Sequence, residues 1–249
     1  LVMLEISIKA EPILHIGNFI ITNSLILFVI VLIVLVIFGF YFRKKISHYS
    51  ETPGFLQNLV EIPIELLLSL MDSILGDRRK SEKYLPLIAT IFIFIATSNW
   101  LGLLPGVGSF IIHEGKKTIP LLRAPAADLN FTLALAVLSV FMTNFLGITV
   151  LGFFKHIKKY LNFSNPIKFF VGILELMSEV SKVISFSFRL FGNVFAGEVL
   201  LTIMFFLVPY FVPVPFLFIE MFFGVIQAFI FSVLTLIFLS IQTAEHEEH

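Results

Sequence analysis

Three stretches of more than 25 residues without a charged residue are the feature that most limits how this chain can fold. They cover residues 12–42, 84–113 and 129–154. Each is longer than the roughly 20 apolar residues with which a helix crosses about 30 Å of hydrocarbon. The whole chain is 58% hydrophobic, more apolar than a soluble domain of this length. The sequence therefore predicts an integral membrane protein.

The charged residues are informative by position, because the formal net charge is zero. Eleven Lys and Arg residues lie in 43–83 and 155–168, whereas four lie before the first stretch or in 116–123. Positive charge concentrates on cytoplasmic loops, so an outer N-terminus and a cytoplasmic C-terminus are expected. The chain has no surplus of basic residues, which excludes nucleic-acid binding. It also has no cysteine, which excludes disulfides and thiolate metal sites.

The pattern of apolar and polar segments predicts one all-α membrane domain over 1–249. Three near-upright spanning helices are expected at 20–42, 85–105 and 128–153. No small-residue cleavage site follows the first of them, which favours a retained span over a removable signal peptide. The segment 55–76 carries acidic residues at helical spacing within apolar sequence. This pattern predicts an amphipathic helix that lies at the interface or dips into the membrane.

The last third of the chain predicts a long helical hairpin. Residues 166–208 are compatible with one helix of about 65 Å, roughly twice the hydrocarbon thickness. Such a helix either lies strongly tilted or breaks near a glycine. After a proline-containing turn, 216–242 returns as a second long helix. The remaining segments, 1–19 and 243–249, are expected as an outer N-terminus and a polar cytoplasmic tail.

Charged residues inside this predicted hairpin are the candidates for function, because each costs about 2.5 to 3.5 kcal/mol on insertion scales. Beyond Lys168 in its first turn, they are Glu175, Glu179, Lys182, Arg189, Glu198 and Glu220. Glu179 and Lys182 stand three residues apart and can pair, which leaves structure and conduction equally open for them. Arg189 has no carboxylate close by on its own helix and cannot lose its charge. Arg189 is therefore the strongest functional candidate.

An antiparallel hairpin centred near Pro209 would match two polar pairs. Glu198 and Glu220 would face each other, and Arg189 would come near Gln227. Two carboxylates brought together in low dielectric cannot both ionise easily, so a proton relay through Glu198 and Glu220 is plausible. The alternative is that each carboxyl turns to separate water at the lipid edge.

Several motifs of this chain together resemble subunit a of F-type ATP synthases. The most specific is RLFGN at 189–193, followed by AGE at 196–198. Supporting matches extend over most of the chain: ITNS at 21–24, NWLGLLPG at 99–106, ADLN at 127–130 and QAFIF at 227–231. The resemblance implies a non-catalytic, proton-conducting stator subunit of a rotary ATP synthase.

The resemblance also implies roles for individual residues. Arg189 would be the essential arginine that meets a carboxylate of the rotating ring. Further residues match polar positions of the proton path in the family: Glu198, Glu220, Gln227 and Asn193, with Ser185, Glu175, Lys182 and Asp128 as additional channel-lining candidates. The Glu220 position is a histidine in some members of the family. No cofactor and no metal are expected.

The partners implied by the resemblance are the ring of c subunits, the b subunits of the peripheral stalk, other ATP synthase subunits and the lipid bilayer. A bacterial inner membrane is the favoured location, with an organellar inner membrane as the alternative. Two other functions stay open from the residues alone. The first is a secondary transporter in which Arg189 binds an anionic substrate, and the second is a structural membrane scaffold whose charges direct assembly.

Overall fold

A computed structural model describes residues 10–17, 19–46, 55–104, 107, 111–114, 117–160 and 165–244 of the chain. These residues form the following helices: α1 (Asn23–Ile46), α2 (Phe55–Leu75), α3 (Arg78–Gly102), α4 (Leu129–Leu151), α5 (Phe153–Tyr160), α6 (Pro166–Leu207) and α7 (Pro213–Thr243). Two short antiparallel hairpins lie in the connecting segments: β1 (Pro12–Ile16) with β2 (Phe19–Thr22), and β3 (Ile111–Glu114) with β4 (Lys117–Pro120).

Five of the described helices, α1, α3, α4, α6 and α7, are long and apolar enough to cross a membrane. The predicted all-α membrane class is therefore confirmed. Helix α2 is not among them, although it has 21 residues and continues through Pro63. The predicted N-terminal segment 1–19 is described only in part. Of the predicted tail 243–249, residues 245–249 lie outside the described part of the chain.

Helix α3 begins at Arg78, earlier than the predicted start at residue 85. Asp77 is its N-cap, and the carboxylate accepts a hydrogen bond from the Arg79 backbone N–H at 2.9 Å. An Asp cap satisfies a backbone donor that the first helical turn leaves free. The charged residues before the apolar stretch therefore extend the helix, because hydrogen bonding and not apolarity sets where it starts.

Helix α6 is continuous over 42 residues, about 63 Å, and breaks at none of its glycines. Two of these glycines instead allow close contacts. A Cβ at Gly172 would overlap the carbonyl oxygen of Tyr160 in α5, and a Cβ at Gly197 would overlap the carboxylate of Glu220 in α7. The glycines are needed for packing, whereas the backbone keeps its helical hydrogen bonds throughout.

Helices α6 and α7 are antiparallel, in the register expected for a turn near residue 209. Gly197 meets Glu220, and the rings of Phe186 and Phe231 lie 4.7 Å apart. With α3 and α4 these two helices enclose the main core, which includes the buried Leu190. Hydroxyl pairs tie α4 to both neighbours. Helix α1 remains largely exposed, since 11% of its apolar membrane-spanning segment is buried.

Candidate functional site

Arg189 lies on the exposed side of α6, whereas the next residue, Leu190, is 1% exposed and belongs to the core. The Arg189 Nη2 donates a hydrogen bond to the Ser185 hydroxyl at 3.1 Å, one helical turn earlier. Within the described residues the guanidinium forms no ion pair. A permanently charged group is therefore presented on the outside of an apolar bundle, with its charge uncompensated by the described part of the chain.

A strip of small residues runs along this exposed side of α6 past Arg189, next to the large exposed side chains of Ile184 and Phe188. The small residues are Ser181, Ser185, Gly192 and Ala196, spaced so that they fall on one side of the helix. A Cβ at Gly192 would meet no atom within 4 Å. Packing against the described residues therefore does not explain the glycine, and the surface beside Arg189 is open to close approach by another helix.

Glu198 lies on another face of α6 and pairs with a residue far away in sequence. The Nε of Arg123 lies 3.1 Å from both carboxylate oxygens of Glu198. Arg123 is 6% exposed, and its guanidinium stands 5.9 Å from the centre of the Phe195 ring. The cation that follows β4 thus reaches the second half of α6 and compensates the charge of Glu198.

Glu220 is the second carboxylate of the predicted path, and α7 places it directly against Gly197 of α6. The register thus brings it to the residue that precedes Glu198. Within the described residues Glu220 forms neither a hydrogen bond nor an ion pair. Asn193, one turn before Gly197, has a buried side-chain amide nitrogen without a hydrogen-bond partner in the described chain. These groups leave unused capacity to bind water or a proton.

Two further predicted site residues, Gln227 and Asp128, differ in their burial and in their contacts. Gln227 is half-buried on α7, two turns after Glu220. The Asp128 carboxylate is 6% exposed and accepts hydrogen bonds from the Ser24 hydroxyl at 2.8 Å and the Asn130 backbone N–H at 3.0 Å. Asp128 is thus the N-cap of α4 and connects it to α1, so its described contacts are structural.

Glu179 is the centre of a compact set of contacts between α4, α6 and α7. Its Oε1 accepts hydrogen bonds from Lys182 at 2.6 Å and Gln242 at 2.8 Å, and its Oε2 accepts one from Asn144 at 3.0 Å. The side chains of Glu179 and Lys182 are 12% and 11% exposed. We call these four residues the Glu179 cluster. Glu175, one turn earlier, pairs with Lys159 of α5 at 2.8 Å.

Two aromatic side chains of α5 border the Glu179 cluster. Burial raises the pKa of Tyr160 to about 12, so its hydroxyl stays protonated and donates to Asn144 Oδ1 at 2.9 Å. Burial, assisted by the charge of Lys159, lowers the pKa of His156. The Nε2 of this histidine lies 3.2 Å from the same Asn144 oxygen, to which it donates, since that oxygen can only accept. A neutral imidazole and a neutral phenol thus both donate to Asn144, whereas the buried Nδ1 of His156 has no hydrogen-bond partner among the described residues.

A comparison with known proteins identifies the family. A sequence model of the family described as ATP synthase A chain matches residues 24–240. The chain belongs to this family. It is 36% identical to ATP synthase subunit a of Helicobacter pylori (strain Shi470) over 200 residues, which cover 79% of this chain and 80% of the relative. Subunit a of Campylobacter jejuni subsp. jejuni serotype O:6 (strain 81116 / NCTC 11828) has the same identity and coverage.

Membership in the ATP synthase A chain family makes this chain a multi-pass membrane subunit of an ATP synthase, in its proton-translocating Fo part. Every predicted site residue lies within the matched region. The match therefore confirms the resemblance read from the motifs, and it favours the ATP synthase interpretation over a transporter or a scaffold. Among the described residues no group of three or more His, Asp or Glu could hold a metal ion.

The sequence reasoning missed the residues that compensate the charged groups of this A chain family member. Arg123 contributes to the sequence argument only as one of the positive charges in 116–123, and Asn144, Tyr160 and Gln242 do not enter that argument. These side chains are far from their partners in sequence: 75 residues separate Arg123 from Glu198, and 63 separate Glu179 from Gln242. No local spacing relates them. The sequence contains no signal for these pairs, because it does not show that Arg123 is buried and therefore requires an anion.

Proposed function

We propose that this chain is the stator channel of the ATP synthase, and that Arg189 meets a carboxylate of a rotating ring of c subunits. The observation that carries the proposal is the position of Arg189, an exposed and uncompensated cation on the apolar surface of α6. Such a charge is costly in lipid unless it faces an anion or water. A passing carboxylate would supply the anion.

The small-residue surface around Arg189 supports a helical partner. Ser181, Ser185, Gly192 and Ala196 allow a neighbouring helix to approach the α6 backbone closely. The open space above Gly192 fits the same purpose. A carboxylate on the partner helix would then reach Arg189 without bulky side chains between the two groups.

The chemistry at Arg189 follows from electrostatics. A ring carboxylate must be neutral to travel through lipid, because the ionised form is heavily penalised there. A fixed cation lowers the pKa of a neighbouring carboxyl group by about 1 to 3 units, so that group loses its proton more easily. Arg189 therefore favours release of the proton into one aqueous half-channel, and it repels a proton that would move straight to the other. Rotation of the ring becomes the permitted route.

Two aqueous half-channels would lead protons to and from the ring carboxylate. We assign Glu198, Glu220, Gln227 and Asn193 to the outer access path. The support is that α6 and α7 place Glu220 beside Gly197 and leave the Asn193 amide nitrogen without a partner.

Polar residues towards the Pro166 end of α6 would border the inner path. Ser185, Glu175 and Lys182 are the candidates, although Glu175 and Lys182 are also paired within the chain. Asp128 would contribute by fixing α4 against α1 at the outer side. Each moved elementary charge carries about 2.3 kcal/mol per 100 mV, which the ring passes on as torque.

The proposed setting is a bacterial inner membrane, with the N-terminus outside and the C-terminus in the cytoplasm. The exposed α1 and the surfaces away from Arg189 would contact lipid, the b subunits of the peripheral stalk and other ATP synthase subunits. Catalysis of ATP formation would belong to other subunits. The role of the present chain would be limited to the ion path, which it forms together with the ring.

The deciding experiment uses ATP synthase reconstituted into vesicles with Arg189→Ala in this subunit. We expect normal assembly and loss of proton-driven ATP synthesis to the background rate. The matched control is Arg79→Ala, which removes an exposed arginine whose backbone N–H, and not its guanidinium, bonds to Asp77. Assembled Arg189→Ala enzyme that synthesises ATP at the control rate would show the proposal to be wrong.

A further inference from the structure

Arg123 is a buried cation in the segment between β4 and the short 3-10 helix Pro125–Ala127. Its side chain is 6% exposed, and its Nε is equally close, at 3.1 Å, to both oxygens of Glu198. A guanidinium stays charged at any relevant pH, so its burial requires an anion nearby. Glu198 supplies one across 75 residues of sequence.

The two carboxylates of the proposed outer path therefore have different surroundings. An ionised Glu198 forms a neutral pair with Arg123, whereas an ionised Glu220 has no cation bonded to it among the described residues. Burial, and to a smaller extent the negative charge of Glu11, act on Glu198 in the direction opposite to Arg123. The arginine is the closer influence, since it lies at hydrogen-bond distance from the carboxylate.

We propose that Arg123 is a positioning residue that keeps Glu198 available as an ionised proton acceptor, and so sets the order in which Glu198 and Glu220 carry a proton. This inference rests on the proposed function. A proton from outer water binds a Glu198 carboxylate oxygen and neutralises that half of the ion pair. The unbalanced guanidinium then favours release, so the Glu198 O–H bond breaks as an O–H bond forms on Glu220. Arg123 itself neither gains nor loses a proton.

The first test measures ATP synthesis by the reconstituted enzyme at a fixed membrane potential, as a function of the pH on the outer side of the subunit. In Arg123→Gln, Glu198 binds its proton more tightly, since the opposite charge is gone. The midpoint of the pH profile then moves up by about 1 unit, and the maximal rate falls about tenfold. Arg123→Lys retains the positive charge, and we expect it to restore most of the rate.

A double variant separates positioning from a purely structural role. In the Glu198→Gln background, Arg123→Gln has no carboxylate to affect, so the double variant is no slower than Glu198→Gln alone. A purely structural Arg123 would reduce the amount of assembled enzyme and leave the midpoint of the pH profile where it is in the wild type. That result, obtained in enzyme that assembles, would overturn the inference.

A measurement on the wild-type enzyme does not depend on whether Arg123→Gln assembles. Carbodiimides react with protonated carboxyl groups, and neither Glu198 nor Glu220 is fully buried. At pH 7 we expect Glu220 to be labelled several times faster than Glu198, as followed by peptide mass spectrometry. Labelling of Glu198 at least as fast as Glu220 contradicts the inference.

The outcomes also separate this inference from the proposed function. ATP synthesis by Arg189→Ala would overturn both. An inactive Arg189→Ala together with a wild-type pH midpoint in Arg123→Gln would overturn the role of Arg123 alone, and the stator function would stand.

Discussion

Two regions of α6 carry charged side chains within apolar sequence and differ in how these charges are compensated. In the Glu179 cluster, the carboxylate accepts three hydrogen bonds and both ionic side chains are nearly buried. Arg189, ten residues further along, is exposed and bonds to a neutral hydroxyl of its own helix. A charge that its own chain compensates stabilises the fold, whereas an uncompensated charge requires a partner from outside.

The surroundings of the two regions agree with this difference. Lys182 stands 4.6 Å from the centre of the Phe238 ring, so its ammonium is held between an anion and an aromatic face. Arg189 is instead next to the small Gly192, with open space above it. The Glu179 cluster joins α4, α6 and α7, and the three hydrogen bonds that its carboxylate accepts give it a role in holding these helices together.

The largest expected effect is the loss of ATP synthesis in Arg189→Ala, without a matching loss of stability. Arg189→Ala removes no described ion pair, so the free energy of unfolding of the detergent-solubilised subunit should change by less than about 0.5 kcal/mol. ATP synthesis in the assembled enzyme should nevertheless fall to background. Unfolding in a titration with dodecyl sulfate can be followed by the fluorescence of Trp100, the single tryptophan. A large loss of stability would place Arg189 with the structural charges and remove the contrast.

The next effect is a loss of stability in the Glu179 cluster. Glu179→Ala leaves the nearly buried Lys182 without its anion, and breaking such a pair costs about 3 to 5 kcal/mol. The double variant Glu179→Leu with Lys182→Met removes both charges and should recover much of this loss. The same Trp100 titration gives both free energies of unfolding. If Glu179→Ala were as stable as the wild type, the cluster would not be a structural centre.

A smaller effect concerns the open surface beside Arg189. Gly192→Leu adds a side chain where a Cβ meets no atom of the described residues within 4 Å, so the subunit should remain as stable as the wild type. Against a closely packed partner helix, the extra volume costs about 1 to 3 kcal/mol, and we expect about tenfold slower ATP synthesis.

Gly39→Leu in α1 is the control for the Gly192 prediction, because a Cβ at Gly39 likewise meets open space. Unchanged ATP synthesis in both variants would argue against a close helical partner at Gly192. Gly197→Ala provides the opposite case, since its Cβ overlaps the Glu220 carboxylate within the chain. This variant should lower the free energy of unfolding by about 1 to 3 kcal/mol.

The smallest effect is a pH dependence at the border of the Glu179 cluster. The pKa of His156 is lowered from 6.5 by burial, so below pH 6.5 the unfolded state binds the proton more readily than the folded state. Stability should therefore fall as the pH drops below 6.5, by no more than about 1.4 kcal/mol per pH unit from this group. His156→Gln should remove that part of the slope. An identical slope in both proteins would show that His156 does not titrate as proposed.

Much of the hairpin was accessible from sequence because its evidence is local or periodic. The charge-free stretches predict the helices, and the spacing of Glu198 and Glu220 about Pro209 predicts the register that the Phe186 and Phe231 contact confirms. The partners of the charges were not accessible. Arg123 precedes the 3-10 helix in a segment without helical periodicity, and Gln242 stands near the end of α7 between other polar residues, with no partner of its own nearby in sequence.

By itself, the sequence determined that the chain is an all-α membrane protein of the ATP synthase A chain family and that Arg189 lacks a carboxylate on its own helix. Hydrophobic length, helical spacing and the RLFGN motif are properties of consecutive residues, which explains why they could be read directly. Only the tertiary structure decided which charges are compensated: Glu179 by three side chains, Glu198 by Arg123, and Arg189 by no charge in the described residues. Compensation depends on distances between segments far apart in sequence, and these distances are fixed only when the helices pack.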